Sequence, residues 1–242
     1  MEKIVEIGLD YFNKKDSGQV HFVNDKRTND LLNDIKNNSY VYVLACLMDR
    51  QIKAEKAWVI PQKIFDILHT SDFNELQKVP LKKYVKIFNE NNLHRFNDSM
   101  ANIFYSGIQD IKNKYQGKAS NIWLNEPSSA LVVYRFLEFK GCGIKIATMT
   151  ANILARQYKI KFSDYYSIDI SPDTHIMRVM SRMGYVPNDS SREMVIYKAR
   201  ELYPEFPGII DFPCWEIGRN WCKPKEPDCN NCIVKNECKR IF

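Results

Sequence analysis

Lys140-Gly141-Cys142-Gly143-Ile144-Lys145 is the stretch on which the reading of this chain turns. Apolar Leu131–Phe139 leads into it, and a helical pattern from Ile146 to Tyr158 follows. The chain has only nine glycines in 242 residues, so a pair one residue apart is informative. Two glycines so placed permit a tight turn and leave backbone N–H groups exposed. Beside a helix N-terminus such groups can bind a phosphate oxygen. Taken alone, an ordinary helix–helix turn accounts for the segment about as well.

Outward from this turn the pattern is helical. Asn97 is placed to cap a helix whose apolar stripe is Met100, Ile103, Phe104, Ile108 and Ile111. Leu81, Tyr84, Val85 and Phe88 form another stripe. Tyr40–Met48 is apolar on every side, as expected of a central buried helix. Val41, Tyr42 and Val43 would also suit a strand, but no partner strand is evident nearby. Ser190 and Glu193 have capping-box spacing, ahead of a helix that stops at Pro204. An all-α protein with short loops is expected.

The run Tyr40–Met48 is the longest apolar one and too short to span a bilayer. No charged-then-apolar leader opens the chain, so a cytoplasmic protein is expected. The formal charge of +6, from 35 basic and 29 acidic residues, is compatible with nucleic acid without being diagnostic of it. Lys112, Lys114 and Lys118 form a basic stretch that reads first as a solvated face.

An odd count of seven cysteines argues against a secreted disulfide scaffold. Cys46 sits in the apolar run and reads as core. Cys222, Cys229, Cys232 and Cys238 follow the spacing C-x6-C-x2-C-x5-C. Thiolates this close in sequence can converge on one centre, and thiolates suit either zinc or an iron–sulfur cluster. A zinc knuckle usually shows two close pairs; here there is one C-x-x-C. On chemistry alone the two metals stand level.

That spacing resembles the [4Fe–4S] loop of the endonuclease III superfamily of DNA glycosylases, and Gly218-Arg219 matches a Gly-Arg ahead of the family's first ligand. Cys214 falls outside the pattern, and the loop Lys223–Asp228 is less basic than is usual there. The glycine turn resembles the family's helix–hairpin–helix, with Phe139-Lys140 where Leu-Pro is common. Asp173-Thr174-His175, followed by Ile176-Met177-Arg178-Val179, resembles the family's Asp-Thr-His helix start.

The resemblance implies two helical lobes with a DNA groove between them. Residues 33–163 would form a six-helix barrel carrying the hairpin, and residues 1–32 with 164–242 the [4Fe–4S] cluster lobe. It implies Lys145 as a Schiff-base nucleophile and Asp173 as the carboxylate beside the scissile bond, with Asp169 as the nearby alternative. An amine must be neutral to attack C1′. The bland reading of Lys145 is a surface lysine, and of Asp173 a helix cap. Lys140, Gly141 and Gly143 would grip phosphate, Gln51 would fill the gap left by a flipped base, and His94 and Arg95 would lie in a wedge loop, Leu93–Phe96. Asp49 and Arg50 replace small residues, and the Tyr158–Ile170 connection is longer than the family's.

The implied activity is base excision with strand nicking by a monomer acting on duplex DNA that holds a damaged or mismatched base. The protein would be nucleoid-associated if prokaryotic. The alternatives are a monofunctional glycosylase and a non-catalytic binder of damaged DNA.

Overall fold

The computed structural model describes residues 1–14 and 19–242. Among these residues the regular structure is helical, without strands. In chain order the α-helices are α1 (Lys3–Asn13), α2 (Lys26–Asn33), α3 (Ser39–Met48), α4 (Ala54–Ala57), α5 (Ile60–Leu68), α6 (Phe73–Leu76) and α7 (Leu81–Glu90). There follow α8 (Asn97–Lys114), α9 (Ser129–Leu137), α10 (Ile144–Arg156), α11 (Thr174–Arg182), α12 (Arg192–Leu202) and α13 (Asp211–Asn220).

The chain divides into two compact units. One comprises Ser17–Pro127 and Tyr134–Thr150; the other comprises Met1–Asp16, Ser128–Val133 and Ala151–Phe242. This division departs from the expected boundaries at 33 and 163. The residues of α2 group with the first unit because α2 packs on α3. Within that packing, the Asn33 side chain holds the backbone N–H of Val20 at 2.7 Å. The boundary near the end of α10 falls earlier than expected because Asn152 donates to the Gly208 carbonyl at 2.7 Å. Lys159 likewise donates to the Phe12 carbonyl at 2.6 Å.

The first unit is built around α3, whose residues are all buried, as its all-round apolar sequence predicts. Tyr42 satisfies its hydroxyl inside this core by donating to the Thr150 carbonyl at 2.8 Å. Gly107 lets α8 come close, since a Cβ there would meet Leu47 at 2.9 Å. The predicted stripe of α8, Met100, Ile103, Phe104, Ile108 and Ile111, is buried. Truncating such a residue to Ala costs about 2–5 kcal/mol. Asn97 does not cap this helix. It is the first helical residue, and its Oδ1 accepts from His94 N–H at 2.9 Å, closing the preceding loop instead.

In the second unit α11 packs against α13, and α1 packs against α13 and the turn Pro207–Ile210. The cap of α12 lies one residue later than expected: Ser191, not Ser190, accepts from Met194 N–H at 3.3 Å, and Ser190 is buried. The long connection between α10 and α11 is packed rather than looped out. Phe162, Ile168 and Ile170 are buried, and Tyr165 stacks on Phe206 at 5.0 Å. No helix among the described residues is long and apolar enough to cross a membrane.

Candidate active site and cysteine loop

The glycine turn joins α9 to α10. Gly141 adopts φ +80°, a left-handed conformation that favours glycine, and a Cβ on it would lie 2.5 Å from Ile103. Phe139 and Cys142 are buried beneath the turn, and Cys142 N–H donates to the Phe139 carbonyl at 3.0 Å. Burial pushes the Cys142 thiol up to about 12, so it is packing rather than a nucleophile. Gly143 differs from Gly141. A Cβ there would meet nothing within 4 Å, and the residue is exposed. Nothing within the chain explains its lack of a side chain. Lys140 is exposed beside it, and Lys145 is an exposed residue in the first turn of α10.

Asp173 is the N-cap of α11, as its bland reading expects. Its Oδ1 accepts from His175 N–H at 2.8 Å and from Ile176 N–H at 2.9 Å. Both bonds fall on the same oxygen. Asp169, the alternative carboxylate, is committed elsewhere: its two oxygens accept from Arg200 Nε and Nη2, each at 2.8 Å. With a side chain only 10% exposed, Asp169 anchors the connection to α12. Lys145 belongs to the first unit and Asp173 to the second.

Gln51 and the Leu93–Phe96 loop lie in the first unit. Gln51 is exposed with φ 55° just after α3, and Arg95 is exposed. His94 is different from expectation. It is 3% exposed, so it is part of the loop's interior rather than a side chain offered to a partner. Burial holds its imidazole below the usual histidine range, while contacts with the Met48 and Arg50 backbone act weakly the other way. Lys112, Lys114 and Lys118 lie at and beyond the end of α8, with Lys114 paired to Asp110 at 3.2 Å.

After α13 the chain runs as turns to its end. Cys222, Cys229, Cys232 and Cys238 line one recess, together with Val179, Met183, Ile217 and Val234. Burial raises the Cys232 and Cys238 thiols, and the sulfurs of the neighbouring cysteines push the same way. Among the described residues no three His, Cys, Asp or Glu side chains form a ready-made metal-ion site. Cys214 lies apart, fully buried in α13, with its thiol pushed up by burial.

Two arginines on α11 tie this loop down. Arg178 donates to the carbonyls of Cys222 at 2.7 Å and Gly218 at 3.0 Å. Arg182 donates to those of Lys223 at 2.7 Å and Pro224 at 2.9 Å, and approaches Cys222 Sγ at 3.5 Å. Gly218 makes the close contact of α11 and α13 possible, since a Cβ there would lie 2.7 Å from His175 Cβ. The sequence carried Arg178 only as part of a motif and gave no sign of Arg182. Their spacing of one helical turn was the available signal.

The described residues thus combine a glycine turn entering one helix, a carboxylate capping another and a four-cysteine loop. No protein-family model matches the chain. It is 23% identical over 207 residues to endonuclease III of Thermotoga maritima, covering 86% of this chain and 85% of that protein. It is 24% identical over 208 residues to endonuclease III of Rickettsia felis, covering 85% and 84%. Among solved structures it resembles endonuclease III in a trapped covalent intermediate with DNA, at TM-score 0.60 and 16% identity over 98% of this chain and 93% of that one. A thermostable thymine-DNA glycosylase gives TM-score 0.61 and 15% identity over 98% and 94%. The chain resembles the endonuclease III-like superfamily and has its fold.

Proposed function

We propose that the protein is a base excision repair DNA glycosylase with an associated lyase activity at abasic sites. The observation that carries this is that Lys145 and Asp173 each stand at the start of a helix, one in each unit. Lys145 stands in the first turn of the hairpin's helix, and Asp173 caps α11 through a single oxygen. The alternative carboxylate is held by Arg200. The curated relatives named endonuclease III support the same reading.

The substrate is duplex DNA whose damaged or mismatched nucleotide is extruded, at least cost where pairing is already weak. Lys145 Nζ forms a bond to C1′ as the glycosidic C–N bond breaks, and the base leaves with a proton. Loss of the amine protons and opening of the sugar give an imine. Removal of a C2′ proton then expels the 3′ phosphate and nicks the strand. Asp173 Oδ2, which the cap does not use, is the oxygen that stabilises positive charge at the sugar and takes a proton. Lys140 and the backbone at Gly143 hold phosphate on the same strand.

Cys222, Cys229, Cys232 and Cys238 would hold a [4Fe–4S] cluster. The donor set fits: four thiols line one recess with apolar walls. When bound, the cluster supplies a rigid anchor for the loop and no step of the excision. A monomer suffices for this chemistry.

The test is borohydride trapping on a duplex that carries an abasic site. Lys145→Gln is expected to abolish both the covalent adduct and the nick. Asp173→Asn, which keeps a cap-competent side chain, is expected to slow excision by about 100-fold at unchanged thermal stability. An adduct surviving Lys145→Gln overturns the assignment. Base release without adduct or nick in the unmodified protein points to the monofunctional reading.

A further inference from the structure

Arg182 is the last residue of α11, so its carbonyl receives no donor from a further turn of helix. Ile241 N–H supplies one, at 3.1 Å. The Cys238 thiol donates to the same carbonyl at 3.4 Å, a bond that a thiolate ligand gives up. The guanidinium of Arg182 meets the other end of the loop. Its Nη1 lies 3.5 Å from Cys222 Sγ, and it bonds to the Lys223 and Pro224 carbonyls. Its flat face sits over the Phe242 ring, 4.8 Å from the centroid. One residue therefore touches the first cysteine of the set and the segment that follows the fourth.

That segment, Lys239–Phe242, runs back across α11. The Lys239 stem lies over the Gly184 turn, where φ is +82° and a Cβ would come within 2.4 Å of Lys239 Cδ. Arg240 takes a left-handed φ of 53°. A residue with a side chain keeps such a conformation only where contacts on both sides hold it. Those contacts are Lys239 on Gly184 and Ile241 on the Arg182 carbonyl. Arg240 and Phe242 line the recess of the four cysteines, yet Phe242 is 69% exposed. A side chain that lines a recess and also meets solvent stands at its rim. The apolar surroundings of a metal site govern how freely solvent reaches it.

We propose that Lys239–Phe242 is a strap across the rim of the cysteine recess, fastened at Arg182, and that strap and fastening together limit the access of small solutes to the iron–sulfur cluster. This rests on the cluster reading above. The strap takes no part in excision. It acts on how long the cofactor survives, through one backbone hydrogen bond and one ring held under a guanidinium.

The test takes protein purified without air, measures its iron, and follows the loss of visible absorbance after hydrogen peroxide is added. Ile241→Pro removes the N–H that meets the Arg182 carbonyl and should speed the loss roughly fivefold, the worth of one hydrogen bond. Phe242→Ala should speed it roughly threefold, and Phe242→Trp, which offers the guanidinium a better ring, should restore the parent rate. In an Arg182→Gln background Phe242→Ala should add little, because the cation that holds the ring is gone. If Arg182→Gln does not retain iron, the two Phe242 variants still decide. The melting temperature of the helical signal should stay at the parent value in the strap variants, since no strap residue is buried. Equal rates of loss in the parent, Ile241→Pro and Phe242→Ala, or faster loss that tracks a lowered melting temperature, overturn this proposal alone. A parent protein that carries no iron overturns the cluster reading with it.

Discussion

The hairpin around Gly141 and the loop from Cys222 to Cys238 are both short non-helical segments set against helices, yet they are held by different physics. The hairpin is supported by its own chain: Phe139 and Cys142 are buried beneath it, and Gly141 closes on Ile103. The cysteine loop has little of this. Val234 is buried within it, and its start, from Gly218 to Pro224, is held by the Arg178 and Arg182 guanidiniums bonding to carbonyls. Apolar packing is complete once the chain folds. On the proposed function, a loop held by polar bonds around four thiols would be complete only when those thiols have a partner.

That contrast can be broken. Its largest expected consequence is at Cys229. Cys229→Ala should eliminate iron binding and make the segment after α13 sensitive to protease, while the helical signal of the rest stays nearly whole. Iron analysis, visible absorbance and limited proteolysis check this. Zinc without iron in the unmodified protein would overturn the cluster.

Next comes the hairpin. Gly141→Ala forces a left-handed φ on a residue with a Cβ and drives it into Ile103, so it should cost about 1–3 kcal/mol in denaturant unfolding. The smallest effect on stability should be at Gly143, where a Cβ meets nothing. Gly143→Ala should leave unfolding within about 0.5 kcal/mol of the parent. On the proposed function it should nevertheless weaken binding to duplex DNA several-fold, because the open space would be where a phosphate approaches. Equal losses of stability at Gly141 and Gly143 would erase the distinction between a glycine kept for folding and one kept for a ligand.

Local features were legible in the sequence and distant ones were not. The all-round apolar run at Tyr40–Met48 and the stripe of α8 declare their burial by periodicity, and both are buried. Caps were legible to within a residue: both serines can cap, and Ser191 rather than Ser190 does. The sequence favoured Asp173 over Asp169 through the Thr174-His175 that follows it. What separates them in space is Arg200, thirty-one residues from Asp169 in the chain. His94 looked like a residue of a solvated turn, yet it is buried, which no periodicity in the loop announces. Arg182 was passed over for the same reason, since its partners are carbonyls, which carry no sequence signal.

Asp173 uses Oδ1 for both helix N–H bonds. A side-chain carboxylate on a free loop would have to surrender rotational freedom each time it met a substrate. Here that freedom is given up when α11 forms, and on the proposed function the second oxygen would be aimed as a by-product of starting a helix. The helix start would then work as a jig: any substitution that keeps the cap would keep the aim, and activity and fold could be tuned at this position by separate atoms of one side chain.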